Sequence, residues 1–275
     1  MLEKHIESCD YNEFYDSEMI YEGNYSYIHK AKWKNGIPVV LKFSKNIENS
    51  DTLQTFEMVQ KLCYHPNIIE YYAITSDPPC IGIVMQFAEG GDLRHYLKKK
   101  FSNLRPTDKL RIAKEIVLGI EFLHNNNIIH ADLHTKNILV HKGKMMIADF
   151  DHSIFRNSES IERDVRGNLA FTDPQALNSL YKFTYTPESD IYSLSVILWE
   201  ISSGHMPFED MLDEQIIIHV LKGRREKPTY NMPSEYIKLY KHGWNENPTN
   251  RPEVNDILEV LEQCILKKNY EIMVK

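Results

Sequence analysis

The spacing of apolar residues changes once along this 275-residue chain, close to residue 90. Before that point, apolar and β-branched residues come in short runs of the kind that form strands, over Tyr27–Trp33, Ile37–Phe43, Asn67–Ile74 and Ile81–Phe87. Asn35-Gly36 separates the first two runs, and this dipeptide between two such runs is a strong hairpin signal. Apolar residues spaced along Thr52–Tyr64 predict one helix. The first third of the chain is therefore predicted to form a small antiparallel β lobe with one helix.

The second part of the chain has helical spacing. Leu110–His124 places its apolar residues along one helical stripe, and the same period continues from Pro187 onward. Two short apolar strands, Ile138–Val140 and Met145–Ala148, lie between these segments. The whole pattern predicts an α+β fold with a small β lobe, a larger and mainly helical lobe, and a hinge near Phe87–Asp92.

Composition and charge exclude several classes of protein. Hydrophobic residues make up 42% of the chain and charged residues 26%, which excludes disordered, collagen-like and coiled-coil chains. The formal net charge is −7, from 32 Lys and Arg against 39 Asp and Glu, and it argues against a protein that wraps duplex nucleic acid.

No segment has the pattern of a membrane span or a secretion signal. The longest apolar stretch, Ile191–Trp199, is far shorter than the roughly 20 residues that cross a bilayer, and the first ten residues lack a basic segment followed by an apolar run. The four cysteines are scattered without a CxxC pair, which is typical of reduced thiols. We therefore expect a cytoplasmic protein with no membrane span and no zinc site.

Three short segments carry residue types that suit chemistry on phosphate groups. The first ends an apolar strand with Lys42, and the third ends another strand with Asp149. The second, residues 130–137, places the carboxylate of Asp132 before the amine of Lys136 and the carboxamide of Asn137. Phosphoryl transfer from ATP needs a carboxylate that orients the attacking hydroxyl, oxygen ligands for Mg²⁺ and cations that offset the phosphoryl charge.

The order of these segments resembles a eukaryotic protein kinase. Further matches stand at the expected distances, at His65-Pro66-Asn67-Ile68, Ser189-Asp190-Ile191-Tyr192-Ser193, Leu198-Trp199-Glu200, and Asn247-Pro248 before Arg251-Pro252. The motif style is closest to the tyrosine-kinase-like serine/threonine kinases. The resemblance covers residues 16–265 and implies a bilobal protein-kinase-like fold, with an N-terminal lobe over about 16–87 and a C-terminal lobe over about 88–265. Residues 1–15 and 266–275 would be short terminal extensions.

The resemblance also implies roles for single residues. Asp132 matches the catalytic base and Lys42 the lysine on the α- and β-phosphates, while Lys136 is the candidate cation for the γ-phosphate. Asn137 and Asp149 match the ligands of Mg²⁺, which Mn²⁺ could replace. The nucleotide pocket would be formed by Gly23, Ile28, Val40, Lys42, Met85, Gln86, Ala88, Asp92 and Leu139.

Three other polar residues lie near these motifs. The resemblance implies that His130 packs as a structural histidine and that Asp190 receives backbone N–H groups of the catalytic loop. His134 has no matching role, and a solvated loop position is one open interpretation of it.

The chain departs from the kinase pattern at several positions. Tyr21, Gly23 and Ser26 stand where the phosphate loop carries three glycines, and we expect weaker ATP binding because glycine allows close backbone approach. Ala131 replaces the arginine before the catalytic aspartate, and Asp151 replaces the glycine after Phe150.

Two further departures concern ion pairs. Gln175 replaces the glutamate that pairs with Arg251, and a hydrogen bond to that guanidinium is expected. The helix glutamate that pairs with Lys42 is uncertain: apolar periodicity favours Thr55 at that position, whereas counting back from His65 favours Glu57.

These residues predict an ATP- and Mg²⁺-dependent kinase that acts on a protein substrate. Gly167-Asn168-Leu169-Ala170-Phe171 favours serine or threonine as the acceptor, whereas Lys136 resembles tyrosine kinases, so dual specificity stays open. The alternative is a pseudokinase that binds nucleotide and signals by conformation, with little or no transfer. A small-molecule kinase of the same fold is a third reading. The sequence does not indicate an oligomeric state.

Overall fold

A computed structural model describes residues 7–23, 26–45, 58, 64–77, 80–156, 163–164, 167–179 and 182–273. The strands are β1 Glu7–Asp10, β2 Tyr15–Glu22, β3 Ser26–Trp33, β4 Ile37–Ser44, β5 Tyr71–Asp77, β6 Cys80–Gln86, β7 Ile128–Ile129, β8 Ile138–His141, β9 Lys144–Ile147, β10 Ile154–Phe155, β11 Arg163–Asp164 and β12 Lys182–Phe183. The helices are α1 Leu93–Lys100, α2 Pro106–Asn125, α3 Pro174–Asn178, α4 Pro187–Ser203, α5 Asp213–Leu221, α6 Ser234–Gly243 and α7 Val254–Met273. The predicted α+β fold with a β-rich N-terminal lobe and a helical C-terminal lobe is confirmed.

Six strands form the N-terminal sheet in the order β1-β5-β6-β4-β3-β2. Neighbouring strands are antiparallel except β1, which runs parallel to β5 and precedes the predicted start of the kinase domain. The predicted hairpin joins β3 to β4, with φ of +58° at Asn35 and +85° at Gly36, a conformation that glycine adopts without strain. The predicted helix over Thr52–Tyr64 lies outside the described residues, apart from two positions. Met58 is helical and buried, and Tyr64, at the end of the predicted range, is exposed.

The strand predicted over Asn67–Ile74 begins later, at Tyr71. The residues before it bond instead to β9 of the C-terminal lobe: Ile147 N–H donates to Asn67 O at 2.8 Å, and Ile69 N–H donates to Ile147 O at 2.9 Å. The Asn67 side chain also donates to Met145 O at 2.9 Å. Sequence pattern could not show this because the partner strand lies about 80 residues away, and these bonds tie the two lobes together.

Helix α4 is the centre of the C-terminal lobe. Fifteen of its 17 residues are buried, including the apolar stretch Ile191–Trp199, and it packs against α2 and α6. A helix that is apolar on most of its circumference belongs in a core. None of the described helices combines the length and apolarity needed to cross a membrane.

The hinge between the lobes is bonded to the β8–β9 hairpin. Gly90 N–H donates to Val140 O at 2.9 Å, and Val140 N–H donates to Gly91 O at 2.8 Å. Two short segments of the chain, the hinge and β8, therefore meet along one edge of the cleft between the lobes.

Candidate active site

Lys42 of β4 reaches across the cleft to two carboxylates. Its Nζ lies 2.7 Å from Asp149 Oδ1 and 2.7 Å from Asp151 Oδ2. The lysine side chain is 12% exposed, whereas the carboxylates are about two-fifths exposed, at 40% and 39%. The ammonium is therefore held within the fold while both acids retain a side open to the cleft.

The three charges shift one another's pKa values. Burial would lower the pKa of Lys42, but the two carboxylates outweigh it and raise that pKa. Burial likewise opposes the ionised form of Asp149, but Lys42 lowers the pKa of this carboxyl to about 2. The pKa of Asp151 is raised, because burial and the charge of Asp149 together exceed the effect of Lys42. Asp149 therefore stays ionised at neutral pH, as a metal ligand must.

Asp190 of α4 holds the backbone of the catalytic loop. Its carboxylate accepts the N–H groups of His130 and Ala131, each at 2.9 Å, and the Nε2 of His124 at 2.9 Å. Ala131 has a φ of +64°, which is rare for a residue with a side chain. These charge-assisted bonds stabilise the turn that presents Asp132, and the prediction for Asp190 is confirmed.

His130 packs beneath this loop, as predicted. Its Nε2 donates to Ala148 O at 3.1 Å, and its ring lies 5.3 Å from the ring of Phe150. The histidine is fully buried, so it joins the catalytic loop to the segment that carries Asp149.

Asn137 places Asp132 and Asp149 in relation to each other. Its Nδ2 donates to Asp132 O at 2.9 Å and lies 3.4 Å from Asp132 Oδ2. Its backbone O accepts Ala148 N–H at 2.9 Å. Asn137 and Asp149 therefore flank the same end of the β8–β9 hairpin, with Asp132 beside Asn137, and their roles as metal ligands and base stay predictions.

Gly167 of the segment after Asp149 lies against Asp132. A Cβ added to Gly167 would overlap Asp132 Oδ1, and the φ of this glycine is +102°. Both the space and the backbone conformation require glycine there. A larger residue at this position would displace the Asp132 carboxylate, whose side chain is 16% exposed.

His134 lies inside the site rather than in a solvated loop. Its side chain is 13% exposed, and its Nε2 is 3.7 Å from Asp132 Oδ2. Its ring centroid lies 6.2 Å from that of Phe171. Burial lowers the pKa of His134, although the charge of Asp132 opposes the shift. The open interpretation of a solvated position is therefore wrong, because the loop turns this ring inward.

Lys136 is arranged differently from His134. It is exposed at the middle of the turn Thr135–Asn137, and among the described residues it forms no hydrogen bond or ion pair. Its role on the γ-phosphate stays a prediction.

A buried ion pair anchors this turn from below. Glu200 of α4 accepts two hydrogen bonds from Arg94, each at 3.1 Å, and a third from the hydroxyl of Thr135 at 3.0 Å. Burial raises the pKa of Glu200, and Arg94 offsets part of that shift. The turn that carries Lys136 and Asn137 is thus fixed to the two helices α1 and α4.

Most of the predicted nucleotide-pocket residues lie on β3, β4, β6 and β8 and on the segment between β6 and α1. The apolar members are all partly buried, namely Ile28, Val40, Met85, Ala88 and Leu139. Strand pairing sets Ile28 opposite Lys42 and Val40 opposite Met85, and a bridge joins Asp92 to Leu139. The register therefore brings residues of β3, β4 and β6 together and sets Asp92 beside Leu139, and the nucleotide pocket that they would form stays a prediction.

The polar members of the pocket have partners within the chain. Gly23 N–H donates to Ser26 O at 2.8 Å. Gln86 N–H donates to Glu70 O at 2.8 Å. Asp92 Oδ1 accepts the N–H of His95 at 2.8 Å and so caps α1. The expected contact of Asp92 with a ribose stays a prediction.

The expected bond between Gln175 and Arg251 is absent, since Arg251 bonds to Asp173 instead. Arg251 donates to Asp173 at 2.6 Å and 3.0 Å, whereas the side chain of Gln175 donates to Glu246 O at 3.1 Å. Asp173 precedes α3 and also caps it through Gln175 N–H at 2.9 Å. The glutamate position of the family pattern is thus replaced by an acid two residues earlier.

Sequence reasoning missed the partners of three residues in this region. The second acid two positions after Asp149 was a weak sequence indication of the contact between Asp151 and Lys42. A histidine two positions after Asp132 was a similarly weak indication that His134 lies close to that carboxylate. Asp173 directly before Pro174 is typical of a helix N-cap, but nothing local pairs it with Arg251. The choice between Thr55 and Glu57 lies outside the described residues.

Comparison with known proteins identifies the family to which the chain belongs. A family model described as protein tyrosine and serine/threonine kinase matches residues 15–261. Human serine/threonine-protein kinase TNNI3K is 31% identical over 267 residues, which is 93% of this chain and 32% of the relative. Arabidopsis thaliana serine/threonine/tyrosine-protein kinase HT1 is 32% identical over 204 residues, or 73% of this chain and 51% of the relative.

A tyrosine kinase is also similar. Mouse tyrosine-protein kinase Fer is 28% identical over 262 residues, which is 91% of this chain and 31% of the relative. The chain thus spans about a third of the length of TNNI3K and Fer and about half of the length of HT1. Because the family model covers most of the sequence and the lobes, cleft and catalytic loop follow the same plan, the chain belongs to the protein tyrosine and serine/threonine kinases.

Proposed function

We propose that this chain transfers the γ-phosphoryl group of ATP, with Mg²⁺, to a serine or threonine hydroxyl of a protein substrate. One observation carries the proposal: Asp132, Asn137 and Asp149 converge at one end of the β8–β9 hairpin, with Lys42 bonded to Asp149 across the cleft. A base, two oxygen donors for a metal ion and a phosphate-binding cation are thereby supplied from both lobes.

The donor set fits magnesium. Asp149 is ionised, and Asn137 uses its amide nitrogen on Asp132 O, so its acceptor Oδ1 is the group suited to a hard cation. Asn137 and Asp149 would hold the ion, which would neutralise charge on the phosphate oxygens. Asp132 would orient the acceptor hydroxyl and take its proton, and Lys42 would hold phosphate oxygens.

The acceptor preference rests on the segment beside Asp132. Gly167 lies against the base, and Asn168 caps the turn Leu169–Phe171 by accepting Ala170 N–H at 3.3 Å. This glycine and aromatic spacing resembles serine/threonine kinases, and tyrosine remains a second acceptor to test because HT1 and Fer carry tyrosine kinase in their names. We place the protein in the cytoplasm, where ATP is abundant and the free thiols of Cys9, Cys80 and Cys264 stay reduced.

Two observations favour a pseudokinase as the second candidate. Lys42 already has two carboxylate partners, and Gly23 is the single glycine kept from the phosphate loop. Both features would weaken nucleotide binding, because phosphates must compete with Asp149 and Asp151 for the ammonium.

Labelled ATP separates the two candidates. The purified chain is incubated with γ-labelled ATP, Mg²⁺ and a generic protein substrate, and the label is assigned by phosphoamino-acid analysis. Label on serine and threonine supports the proposal, and label on tyrosine alone would correct the acceptor. Nucleotide binding without label on any residue favours the pseudokinase.

A further inference from the structure

Asp151 forms a second ion pair with Lys42, and the proposed chemistry gives this carboxylate no role. Asp151 Oδ2 lies as close to the ammonium as Asp149 Oδ1 does, at 2.7 Å. Among the described residues these are the two ion pairs of Lys42. One lysine therefore serves two carboxylates, only one of which has a part in the proposed chemistry.

The turn that carries Asp151 is fixed by its neighbours. Phe150 is 1% exposed and packs between the rings of Tyr71 and His130, at centroid distances of 6.0 Å and 5.3 Å. Ser153 N–H donates to Phe150 O at 3.0 Å and closes the turn. Because the residues on both sides are anchored, the approach of Asp151 to Lys42 is built into the fold rather than a chance contact of a loose loop.

The two carboxylates would have different binding partners once nucleotide and metal are bound. If Asp149 ligates a metal ion, as the proposed function requires, its charge is directed to that ion, so the phosphate oxygens and the second carboxylate are left to balance the charge of Lys42. A lysine that is 12% exposed has little water to compensate, and a buried ammonium without an anionic partner is strongly disfavoured. Among the described residues, Asp151 is the carboxylate that would remain paired with Lys42.

We infer that Asp151 is the positioning residue of Lys42: it keeps the ammonium aimed into the cleft when Asp149 is engaged with metal. The inference rests on the proposed function. It assigns to Asp151 an effect on phosphoryl transfer that acts through Lys42 rather than through the metal, since correct placement of a charged group governs rate more than affinity.

Three variants test the inference: Asp151→Asn removes the charge, Asp151→Glu keeps it, and Asp210→Asn removes the charge of an exposed acid as a matched control. With initial-rate kinetics, Asp151→Asn should lower kcat by about tenfold or more, while KM for ATP stays the same or falls because one competitor of the phosphates for Lys42 is gone. Asp151→Glu should recover most of kcat, and Asp210→Asn should match wild type. An unchanged kcat in Asp151→Asn would overturn the inference.

Magnesium dependence separates a positioning role from direct ligation. The half-saturating Mg²⁺ concentration should be the same in wild type and Asp151→Asn. If raising Mg²⁺ restores the variant, Asp151 is a metal ligand and the inference is wrong.

A stability cycle tests the contact itself without nucleotide or metal. The free energies of unfolding of Lys42→Met, Asp151→Asn and the double variant should be non-additive, with the double variant losing less than the sum. Additive losses would show that the two side chains do not interact and would overturn the inference. A wild-type chain with no transfer would instead refute the proposed function and the positioning role, while non-additivity would still establish the contact.

Discussion

Arg251 and Asp173 form a fully buried, two-pronged ion pair in the C-terminal lobe. The side chains are 0% and 1% exposed, and their N–O distances are 2.6 Å and 3.0 Å. Arg251 also donates to Asn245 O at 2.9 Å and to Glu188 O at 2.8 Å. The pair therefore joins the segment before α3 to the start of α4 and to the loop before α7.

Breaking this pair should destabilise the protein strongly. Asp173→Asn leaves the guanidinium buried without a counter-charge, and we predict a loss of about 3–5 kcal/mol in the free energy of unfolding. Gln175→Ala, which removes only an exposed hydrogen bond, should cost less than about 1.5 kcal/mol. Urea denaturation of both variants measures the difference, and equal losses would contradict the assignment of the pair.

Gly167→Ala should inactivate transfer by crowding Asp132. Any alanine there meets the carboxylate and a φ of +102°, so we expect kcat to fall by at least about tenfold, or ~1.4 kcal/mol. Gly143→Ala is the matched control, because its φ is +76° but nothing lies within 4 Å of the added Cβ. Both variants should lose some stability from backbone strain, and only the first should lose transfer. Full activity in Gly167→Ala would mean that this glycine does not border the site.

Lys42→Met and Asp149→Asn should both lower transfer by orders of magnitude, but only the first should lower stability substantially. Lys42→Met leaves two carboxylates near each other without their cation, and since both are partly exposed we predict a cost of about 1–3 kcal/mol. Asp149→Asn leaves Lys42 paired with Asp151 and relieves repulsion between the acids, so its cost should be smaller. Melting curves without nucleotide decide the order, and the reverse order would contradict the shared ion pair.

Unfolding stability should fall in mildly acidic solution, in part because of His134. Burial holds its pKa below the ordinary 6.5, so below pH 6.5 the unfolded chain takes up a proton that the folded chain does not. Stability from this group is therefore complete above about pH 6.5 and decreases as the pH falls toward the folded pKa. His134→Asn should remove that part of the slope between pH 7.5 and 5.5, whereas substitution of the exposed His242 should keep it. An unchanged slope in His134→Asn would show that this histidine does not titrate abnormally.

Transfer should not depend on phosphorylation of the segment that follows Asp149. Ala131 has no charge to receive a phosphate, and the hydroxyls of Ser153 and Thr172 are buried, donating to His130 O at 3.0 Å and Asn168 O at 3.2 Å. Ser158 and Ser160 lie outside the described residues. Replacing both by alanine should change kcat by less than about threefold, or ~0.7 kcal/mol. Loss of activity on phosphatase treatment, with recovery after rephosphorylation of either serine, would contradict this.

Local sequence pattern was enough to predict the secondary-structure elements that surround the site. The Asn35-Gly36 hairpin, the strand that carries Lys42 and the helix around Ile191–Trp199 follow from periodicity and turn chemistry. The contacts that decide the electrostatics were not accessible in the same way. Asp151 meets Lys42 across 109 positions, at a place where the family pattern has a glycine. Asp173 meets Arg251 across 78 positions, and it stands two positions before the family's glutamate.

The position of His134 next to Asp132 could not be predicted for the same reason, because it depends on contacts with distant segments. Spacing places a residue on a loop but does not say which way the loop turns, and this turn is set by Asp190 and Glu200 of α4. Loop direction, and hence the burial of a polar side chain, depends on hydrogen bonds that come from distant segments.

The most direct test of the account is phosphoryl transfer by wild type and Asp132→Asn, side by side, under saturating ATP and Mg²⁺. The variant keeps the size of the side chain and the bond from Asn137 to the backbone of residue 132, so it should fold and bind nucleotide like wild type. We predict label transfer to protein by wild type and a loss of about two orders of magnitude or more in kcat for the variant. Equal transfer by both proteins, with intact nucleotide binding, would show that Asp132 is not the base and that the site assigned here is wrong.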